Sequence, residues 1–336
     1  MKQEEMMIKS GIVHILDSAV GMPVLSDCEM DFGPDLSDFL KGHVERFSES
    51  DDKKICQFTS DSEVKEILQN CGEENFVETS QFLARNLYRI LNENPAIPSA
   101  DAVVLWLTRG EEDYLAFLKM DFKTSYTHIT NPAEGGNSNE IILQKALLPS
   151  QGQRLSEAFL VRLSDMDLQL VEKRYEVNGE KCWYFSEKFL QCQAPMSQKA
   201  KLDVVTKAVE QVNRKYYGDE DTERRMEIKN VIYKELEEEG GLRVETVKEK
   251  VFADSPQMQA DLDEKLEKYN MTGEVVAPKS EQTLRKFQKQ HLLTDTGIEI
   301  TIPMEEYENP DRVEFLTNPD GTISVLIKNV GKLSAK

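Results

Sequence analysis

The sequence lacks the long apolar runs that mark membrane proteins. None of its hydrophobic stretches approaches the ~20 residues that a helix needs to cross a bilayer. The N-terminal stretch MKQEEMMIKSGIVHIL carries acidic residues where a secretory signal has only positive charge, and no small-residue cleavage site follows it. We therefore expect an intracellular, cytoplasmic protein.

The sequence also lacks the cysteine and histidine patterns of disulfide-rich and metal-binding proteins. Its cysteines are odd in number and form no CxxC pair: Cys28, Cys56, Cys71, Cys182 and Cys192. Its histidines are far apart and form no HxxxH or HxH motif: His14, His43, His128 and His291. A disulfide framework and a zinc site therefore have no support, and we expect no metal and no cofactor.

Nucleotide and hydrolase motifs are missing as well. There is no GxGxxG, no phosphate-binding P-loop and no GxSxG. The Gly135-Gly136 pair in NPAEGGNSN has neither the spacing nor the following Lys-Ser/Thr of a phosphate-binding loop, so we predict a flexible polar loop there.

One enzymatic alternative remains in the pattern Asp121-Phe122-Lys123. An acid on one strand and an acid-x-Lys on the next hold Mg²⁺ in nucleases of the restriction-enzyme type, where the lysine helps to generate the attacking hydroxide. Asp101 begins the preceding predicted strand and could supply the first acid. A motif this short arises often by chance, and a third carboxylate, such as Glu66 or Glu78, cannot be placed.

Positive charge is scarce, which argues against a strongly DNA-binding protein. The formal net charge is −20, whereas contacts to DNA phosphates need clustered Lys and Arg. Residues 1–150 contribute −13 and residues 151–336 contribute −7. Residues 189–217 carry a net charge of +3, so any nucleic-acid surface is expected to be local and in the second half.

The hydrophobic pattern predicts an α+β fold with two domains. At 336 residues the chain exceeds the roughly 250–300 residues at which one core usually divides. Residues 1–195 read as a mostly antiparallel sheet with inserted helices. We predict strands at 7–16, 102–108, 114–124, 141–148 and 159–165, and helices at 35–47, 61–68 and 75–91. Asn178-Gly179 predicts a hairpin turn between LQLVEKRYEV and KCWYFSEKF.

Residues 196–336 predict a helical domain closed by a small β-meander. Apolar residues at helical spacing place a seam on the first helix, which could equally serve a dimer: Leu202, Val205, Val209, Val212 and Tyr216. Further helices are expected at 223–239 and 244–251, and one after Ser255-Pro256 with Met258, Leu262, Leu266 and Tyr269 inward. A short basic helix, SEQTLRKFQKQHLL, then precedes the strand GIEITIP and the hairpin RVEFLTNPDGTISVLI.

Two groups of cations are the candidate nucleic-acid contacts. The first lies on the predicted helix at 199–217 and the second on the predicted basic helix, where Phe287 could stack on a base. The candidates are Lys199, Lys201, Lys207, Arg214, Lys215, Arg285, Lys286 and Lys289. An ordinary solvated helix face would carry the same residues.

Most of the chain, and most strongly the part from Phe189 onward, resembles the bacterial nucleoid-associated protein family (NdpA-like). The resemblance rests on Lys199-Ala200, Ala208-Val209, the acidic helix before Gly240-Gly241, Thr283-Leu284-Arg285, the strand at 297–302 and the hairpin ending at 322–328. It implies association with the nucleoid, through DNA or through DNA-bound partners, without a known cofactor. The first half matches the family less closely.

These observations predict a non-enzymatic nucleoid-associated protein that binds DNA weakly or associates with proteins bound to the bacterial chromosome. Because the chain is so acidic, a protein-interaction module whose acidic domain docks a basic DNA-processing enzyme is the main alternative. The Mg²⁺-dependent nuclease is the third. We expect no membrane partner, and a homodimer stays open.

Overall fold

The computed structural model describes residues 6–177, 179–218 and 221–334. The chain divides into two compact units, Met1–Ser197 (unit 1) and Gln198–Lys336 (unit 2). Helices and strands alternate through both, which confirms the predicted α+β class. Among the described residues, no helix is long and apolar enough to cross a membrane. The division into an N-terminal sheet domain, 1–195, and a C-terminal helical domain, 196–336, stays a prediction.

Unit 1 is built on an antiparallel sheet with the strand order β1-β3-β4-β7-β8-β2-β11. Its strands are β1 Met6–Leu16, β2 Lys54–Phe58, β3 Ala100–Arg109, β4 Glu112–Asp121, β5 Lys123–Ala133, β6 Gly136–Leu147, β7 Glu157–Arg162, β8 Leu168–Val171, β9 Tyr175–Val177, β10 Glu180–Cys182 and β11 Cys192–Gln193. Its helices are α1 Pro34–Ser48, α2 Glu63–Gln69 and α3 Phe76–Glu93, with a 3₁₀ turn at Glu73–Asn75 and a π-helix at Phe185–Leu190.

Both faces of this sheet are buried, which explains the continuous apolar run of β3. Successive side chains of a strand point to opposite faces. One face packs under α1, with Leu40 and Val44 against Val103. The other packs under α3 and the π-helix, with Leu83 and Phe185 in the same cluster as Phe117. Helices on both faces leave the central strands without a solvent side.

The polar loop predicted around Gly135-Gly136 is wrong, because those residues form the end of a long hairpin. β5 and β6 pair from Lys123–Leu147 to Ala133–Gly136 and make a two-stranded ribbon separate from the main sheet. The predicted strand at 114–124 accordingly divides after Asp121. Most ribbon residues are exposed on both sides, so no hydrophobic alternation marks these strands in the sequence.

The strand predicted from KCWYFSEKF is also mostly wrong. The hairpin exists, but β9 and β10 pair over three residues each, and the π-helix follows. Asn178 of the predicted turn lies outside the described residues. Phe185 and Phe189 are four residues apart and pack into the core. A helix places their rings side by side, whereas a strand would hold the same two rings farther apart along one face. The sequence also gave no prediction for β2.

Unit 2 opens with four helices close to the predicted bounds: α4 Gln198–Tyr217, α5 Thr222–Glu238, α6 Val244–Val251 and α7 Pro256–Glu267. The hydroxyl of Ser255 accepts a hydrogen bond from the Met258 N–H at 3.4 Å, which caps α7. Leu202, Val205, Val209 and Val212 are buried, so the α4 seam belongs to the core of its own unit and is not a free dimer surface. Tyr216 and Tyr269, predicted inward, are exposed.

The remainder of unit 2 is mainly short β-hairpins. β12 Leu242–Arg243 pairs with β13 Val275–Val276, and then come α8 Glu281–Leu284, β14 Lys289–Leu293, β15 Glu299–Pro303, α9 Met304–Tyr307, β16 Val313–Thr317 and β17 Ile323–Ile327. The expected terminal β-structure is present as two separate hairpins, β14–β15 and β16–β17. The predicted basic helix is wrong beyond Leu284, because KQHLL forms β14 and pairs with β15. Successive side chains of this strand point to opposite sides, so Gln290 is buried and His291 is exposed.

Candidate nucleic-acid interface

The cations of α4 divide between two sides of the helix. At 3.6 residues per turn, Lys199, Lys207 and Arg214 share the side opposite the buried seam. Asp203 and Glu210 lie on the same side, one turn from these cations. We call these five residues the outer face of α4. Lys207 and Arg214 are exposed, and Lys199 is half-buried.

Lys201 and Lys215 lie beside the seam and belong to the packing of unit 2. The ammonium of Lys201 is 2.6 Å from a carboxylate oxygen of Glu274. Lys215 pairs with Asp261 of α7, and the Tyr216 hydroxyl donates to the same carboxylate at 3.0 Å. The hydrogen bond that Lys215 donates to Asp261 raises the pKa of Lys215 and lowers the pKa of Asp261. These two lysines hold elements of unit 2 together.

Lys286 joins the second group of candidates to the first. Its ammonium is 2.6 Å from an oxygen of Asp203, in the middle of the outer face of α4. Both side chains remain about two-fifths exposed, so the pair is open to solvent. The fold therefore brings Lys286 beside Lys199 and Lys207, although 79 or more residues separate them in the sequence.

The other residues of the second group do not form the expected helix face. Arg285 ends α8 and pairs with Glu281 at 3.2 Å, whereas Lys289 begins β14 and is exposed. Phe287 is only 4% exposed, so it is a core residue and cannot stack on a base. The ammonium of Lys286 lies 5.0 Å from the centre of the Phe287 ring.

The basic surface is small within an acidic molecule. Unit 2 holds 22 basic and 28 acidic residues, and unit 1 holds 19 and 33. The outer face of α4 together with Lys286 has four cations and two carboxylates, a local charge of +2. Its field falls off over about 8 Å at physiological ionic strength. Any binding of nucleic acid there is therefore weak and sensitive to salt.

Unit 1 presents an acidic segment with a different character. Between β1 and the first turns of α1, residues 27–38 carry five exposed carboxylates and no Lys or Arg: Asp27, Glu29, Asp31, Asp35 and Asp38. Gln81 donates to Asp27 at 2.9 Å. In the part of the chain that the structure describes, no ion pair joins the other four to a cation. This acidic segment is available to a basic partner.

The nuclease arrangement does not form. Asp101 is directly opposite Met120 on the neighbouring strand, so it shares a sheet face with Met120, and Asp121 lies on the other face. Asp121 is paired with the buried Lys119. Burial raises the pKa of Asp101 to about 6. The described residues contain no cluster of three His, Cys, Asp or Glu side chains suited to a metal ion.

Two buried ion pairs in unit 1 had no signal in the sequence. Lys119 lies 3.1 Å from Glu157, and Lys54 lies 2.7 Å from Glu172, on the face that the π-helix covers. Glu172 also accepts hydrogen bonds from the backbone N–H and the hydroxyl of Ser186, both at 2.9 Å. These contacts anchor the π-helix to the sheet. Burial raises the pKa of Glu157 to about 7, against the opposing effect of Lys119.

Comparison with known proteins completes the description. None of the curated proteins matches the chain. One family model matches residues 12–333, and the family is described as nucleoid-associated protein YejK (NA37). The match includes the outer face of α4, Lys286 and the acidic segment of unit 1, and it spans the first half as fully as the second. The chain therefore belongs to the family of the nucleoid-associated protein YejK.

Proposed function

We propose that this protein is a non-enzymatic component of the bacterial nucleoid that binds DNA weakly and without sequence preference. The binding surface is the outer face of α4 together with Lys286. The observation that carries the proposal is the 2.6 Å contact between Lys286 and Asp203, because it brings a cation that is distant in sequence onto the outer face of α4. Contacts of lysine and arginine to phosphates position a protein on DNA without reading its bases.

The size of the surface sets the strength of binding. Each phosphate that a protein neutralises contributes about −0.9 to the slope of log K against log salt concentration. Four cations, partly offset by Asp203 and Glu210, give a slope of roughly −2 to −4. Affinity then falls about 15- to 250-fold between 50 and 200 mM salt, less than for proteins with six to ten phosphate contacts.

A charge reversal on this surface tests the proposal. Lys207→Glu with Lys286→Glu removes two of the four cations and is expected to weaken binding to a short duplex at least tenfold at 50 mM salt. Lys181→Glu with Lys188→Glu makes the same change in net charge at two exposed lysines of unit 1, outside α4, and serves as the control. Fluorescence anisotropy measures both variants. An equal loss of DNA affinity in both variants would show that only the net charge of the protein matters and would contradict the proposed surface.

A second function is favoured by the acidic segment of unit 1. Four of its exposed carboxylates make no ion pair with described residues, so a basic protein can pair with them without breaking internal contacts. We propose that a basic DNA-bound protein, such as a DNA-processing enzyme, docks there. The two functions are compatible, because they use different units of the chain.

A localisation experiment in cells distinguishes direct DNA binding by α4 from docking of a protein partner at the acidic segment. Asp31→Asn, Asp35→Asn and Asp38→Asn remove the docking charges and leave α4 intact. If the partner contributes, this variant loses part of its co-localisation with the nucleoid in cells while its affinity for naked DNA stays the same or rises slightly. Full co-localisation of this variant, with loss only in the Lys207→Glu and Lys286→Glu variant, would exclude the protein partner.

A further inference from the structure

Unit 1 contains a cleft of about 1200 Å³ beside β2, near one edge of its sheet. Residues of β2 and α2, the turn between β7 and β8, and the end of β11 line it. Its apolar lining includes Phe58, Leu163 and Met166, which are half-buried and pack against the core of unit 1. Sites for small molecules usually occupy roughly 300–1,000 Å³, so the size of this cleft favours an extended ligand.

β2 has an open stretch of edge beside the cleft. β11 pairs with only the last two residues of β2. The N–H of Thr59 donates to the carbonyl of Gln191 at 3.0 Å, and the backbone groups of alternate residues point to the same edge, so those of Ile55 point there as well. Pro195 would lie opposite Ile55 if the ladder continued, but it has no N–H to donate. Within the described residues, no backbone group pairs with Ile55 at this edge.

Hydrogen bonds fix the elements around the cleft. The hydroxyl of Ser62 accepts from the N–H of Lys65 at 3.1 Å and donates to the carbonyl of Leu190 at 2.8 Å, which ties the start of α2 to the chain before β11. In the turn after β7, Met166 has a φ of 61°, and its N–H donates to the carbonyl of Arg162 at 2.9 Å. A cleft fixed in this way loses little conformational entropy when a ligand binds.

One charge in the cleft is available to a ligand. The charged side chains that line it are Lys65, Asp165 and Asp167. Arg162 pairs with both carboxylates, at 2.9 Å for Asp165 and 3.7 Å for Asp167. In the ranges that the structure describes, no carboxylate forms an ion pair with Lys65. The cleft therefore complements a ligand that carries a carboxylate.

We propose that this cleft binds an extended peptide of a partner protein, which adds a strand to β2. The peptide packs a large apolar side chain against Met166 and pairs a carboxylate with Lys65. In strand addition, main-chain hydrogen bonds supply affinity and the contacts of alternate side chains supply specificity. The open edge at Ile55 favours a peptide over a small molecule, which would leave that edge unpaired. The site lies in unit 1, outside the acidic segment, and its partner has the opposite charge to the basic protein proposed there.

Fluorescence anisotropy with labelled synthetic peptides tests the proposal. The probes are short chains of Thr, Ser and Gly that carry Leu and Glu two residues apart, so both side chains point to one face of the extended peptide. The Leu–Glu peptide is expected to bind at least tenfold more tightly than matched Leu–Lys and Ser–Glu peptides. Lys65→Glu should reverse the preference, so that the Leu–Lys peptide binds best, a gain that misfolding cannot produce. Lys41→Glu, at a half-buried lysine of α1 outside the cleft, should keep the preference of the parent.

Two further measurements separate the apolar contact from strand addition. Met166→Gly removes the apolar side chain at a left-handed position that glycine adopts without strain, so the fold is kept and the preference for Leu over Ser should disappear. Methylation of alternate backbone nitrogens of the peptide should weaken binding at least tenfold in one phase and little in the other, because only alternate N–H groups face β2.

Three results would overturn the proposal. The first is the absence of binding by the Leu–Glu peptide at protein concentrations up to about 1 mM. The second is an unchanged preference for Glu in Lys65→Glu, which would place the peptide elsewhere. The third is equal binding of both methylated peptides, which would show that no strand is added. None of these results bears on DNA binding by the outer face of α4, so the proposed function is tested separately.

Discussion

His14 is a single residue of β1 that makes the stability of the fold depend on pH. The ring is fully buried, its Nδ1 accepts from the backbone N–H of Ser26 at 3.1 Å, and its Nε2 lies 3.0 Å from the hydroxyl of Ser80. That hydroxyl donates to the carbonyl of Val77, so it accepts from Nε2–H, which fixes one neutral tautomer. A proton on Nδ1 would break the first of these contacts.

The pKa of His14 predicts loss of stability in mild acid. Burial, chiefly, and then Arg85 lower its pKa from 6.5 to about 4, against a smaller opposing effect of Asp27. Because the unfolded chain takes up the proton first, the stabilisation is complete above pH 6.5 and is lost as the pH falls towards 4. The free energy of unfolding should drop by up to about 3 kcal/mol over that window.

Urea titrations at pH 7.5, 6 and 5 check this. His14→Gln keeps a polar side chain without a titrating ring, so its stability should depend less on pH than that of the parent. Glu157 works in the opposite direction, because its raised pKa removes stability as the pH rises from about 4.5 to about 7. It is present in both proteins, so it cancels in the comparison. Parallel pH profiles for the two proteins would contradict the assignment to His14.

Residue-level chemistry was the part that the sequence predicted least. Lys119 and Glu157 become partners only because β4 and β7 are neighbours in the sheet, and nothing in their local sequence says so. The same holds for Lys286 and Asp203. By contrast, the eight candidate cations could be identified from their positions on two predicted basic helices. Only the fold separates Lys201 and Lys215, which brace unit 2, from the outer face of α4.

At the scale of the element, periodicity predicted those segments that bury one side. The bounds of α4 to α7 came from apolar spacing and capping residues such as Ser255. β5 and β14 were missed, and of β6 only the part within the predicted strand 141–148 was found, for a shared reason. The ribbon buries neither face, and β14 is five residues long, so neither leaves a periodic hydrophobic signal to compare with that of a helix.

The end of α7 provides a test of where its buried stripe stops. Leu266 is fully buried, whereas Tyr269, one turn later, is 53% exposed. Leu266→Ala should destabilise the protein by about 2–5 kcal/mol, because it removes core contacts and leaves a cavity. Tyr269→Ala should change stability by less than about 0.5 kcal/mol. Urea unfolding measures both, and a large loss for Tyr269→Ala would place that ring in the core after all.

At the scale of the whole molecule, acidity governs how the protein meets DNA. Both units carry net negative charge, so the field of the protein repels a duplex beyond the local reach of the outer face of α4. The first contact is therefore weak. Under the proposed function, attachment to the chromosome gains from a basic partner at the acidic segment, since two linked sites bind more tightly than one.

Under the proposed function, a few cations around the contact between Lys286 and Asp203 make the protein's own contacts to DNA. The most direct test is the slope of log K against log salt concentration for duplex binding, measured between 50 and 200 mM salt. We expect a slope of roughly −2 to −4 for the parent chain. In Lys207→Glu with Lys286→Glu the slope should be less negative by about 2. An unchanged slope in that variant, or no salt-sensitive binding by the parent even at 50 mM, would contradict the account and leave the protein partner as the route to the nucleoid.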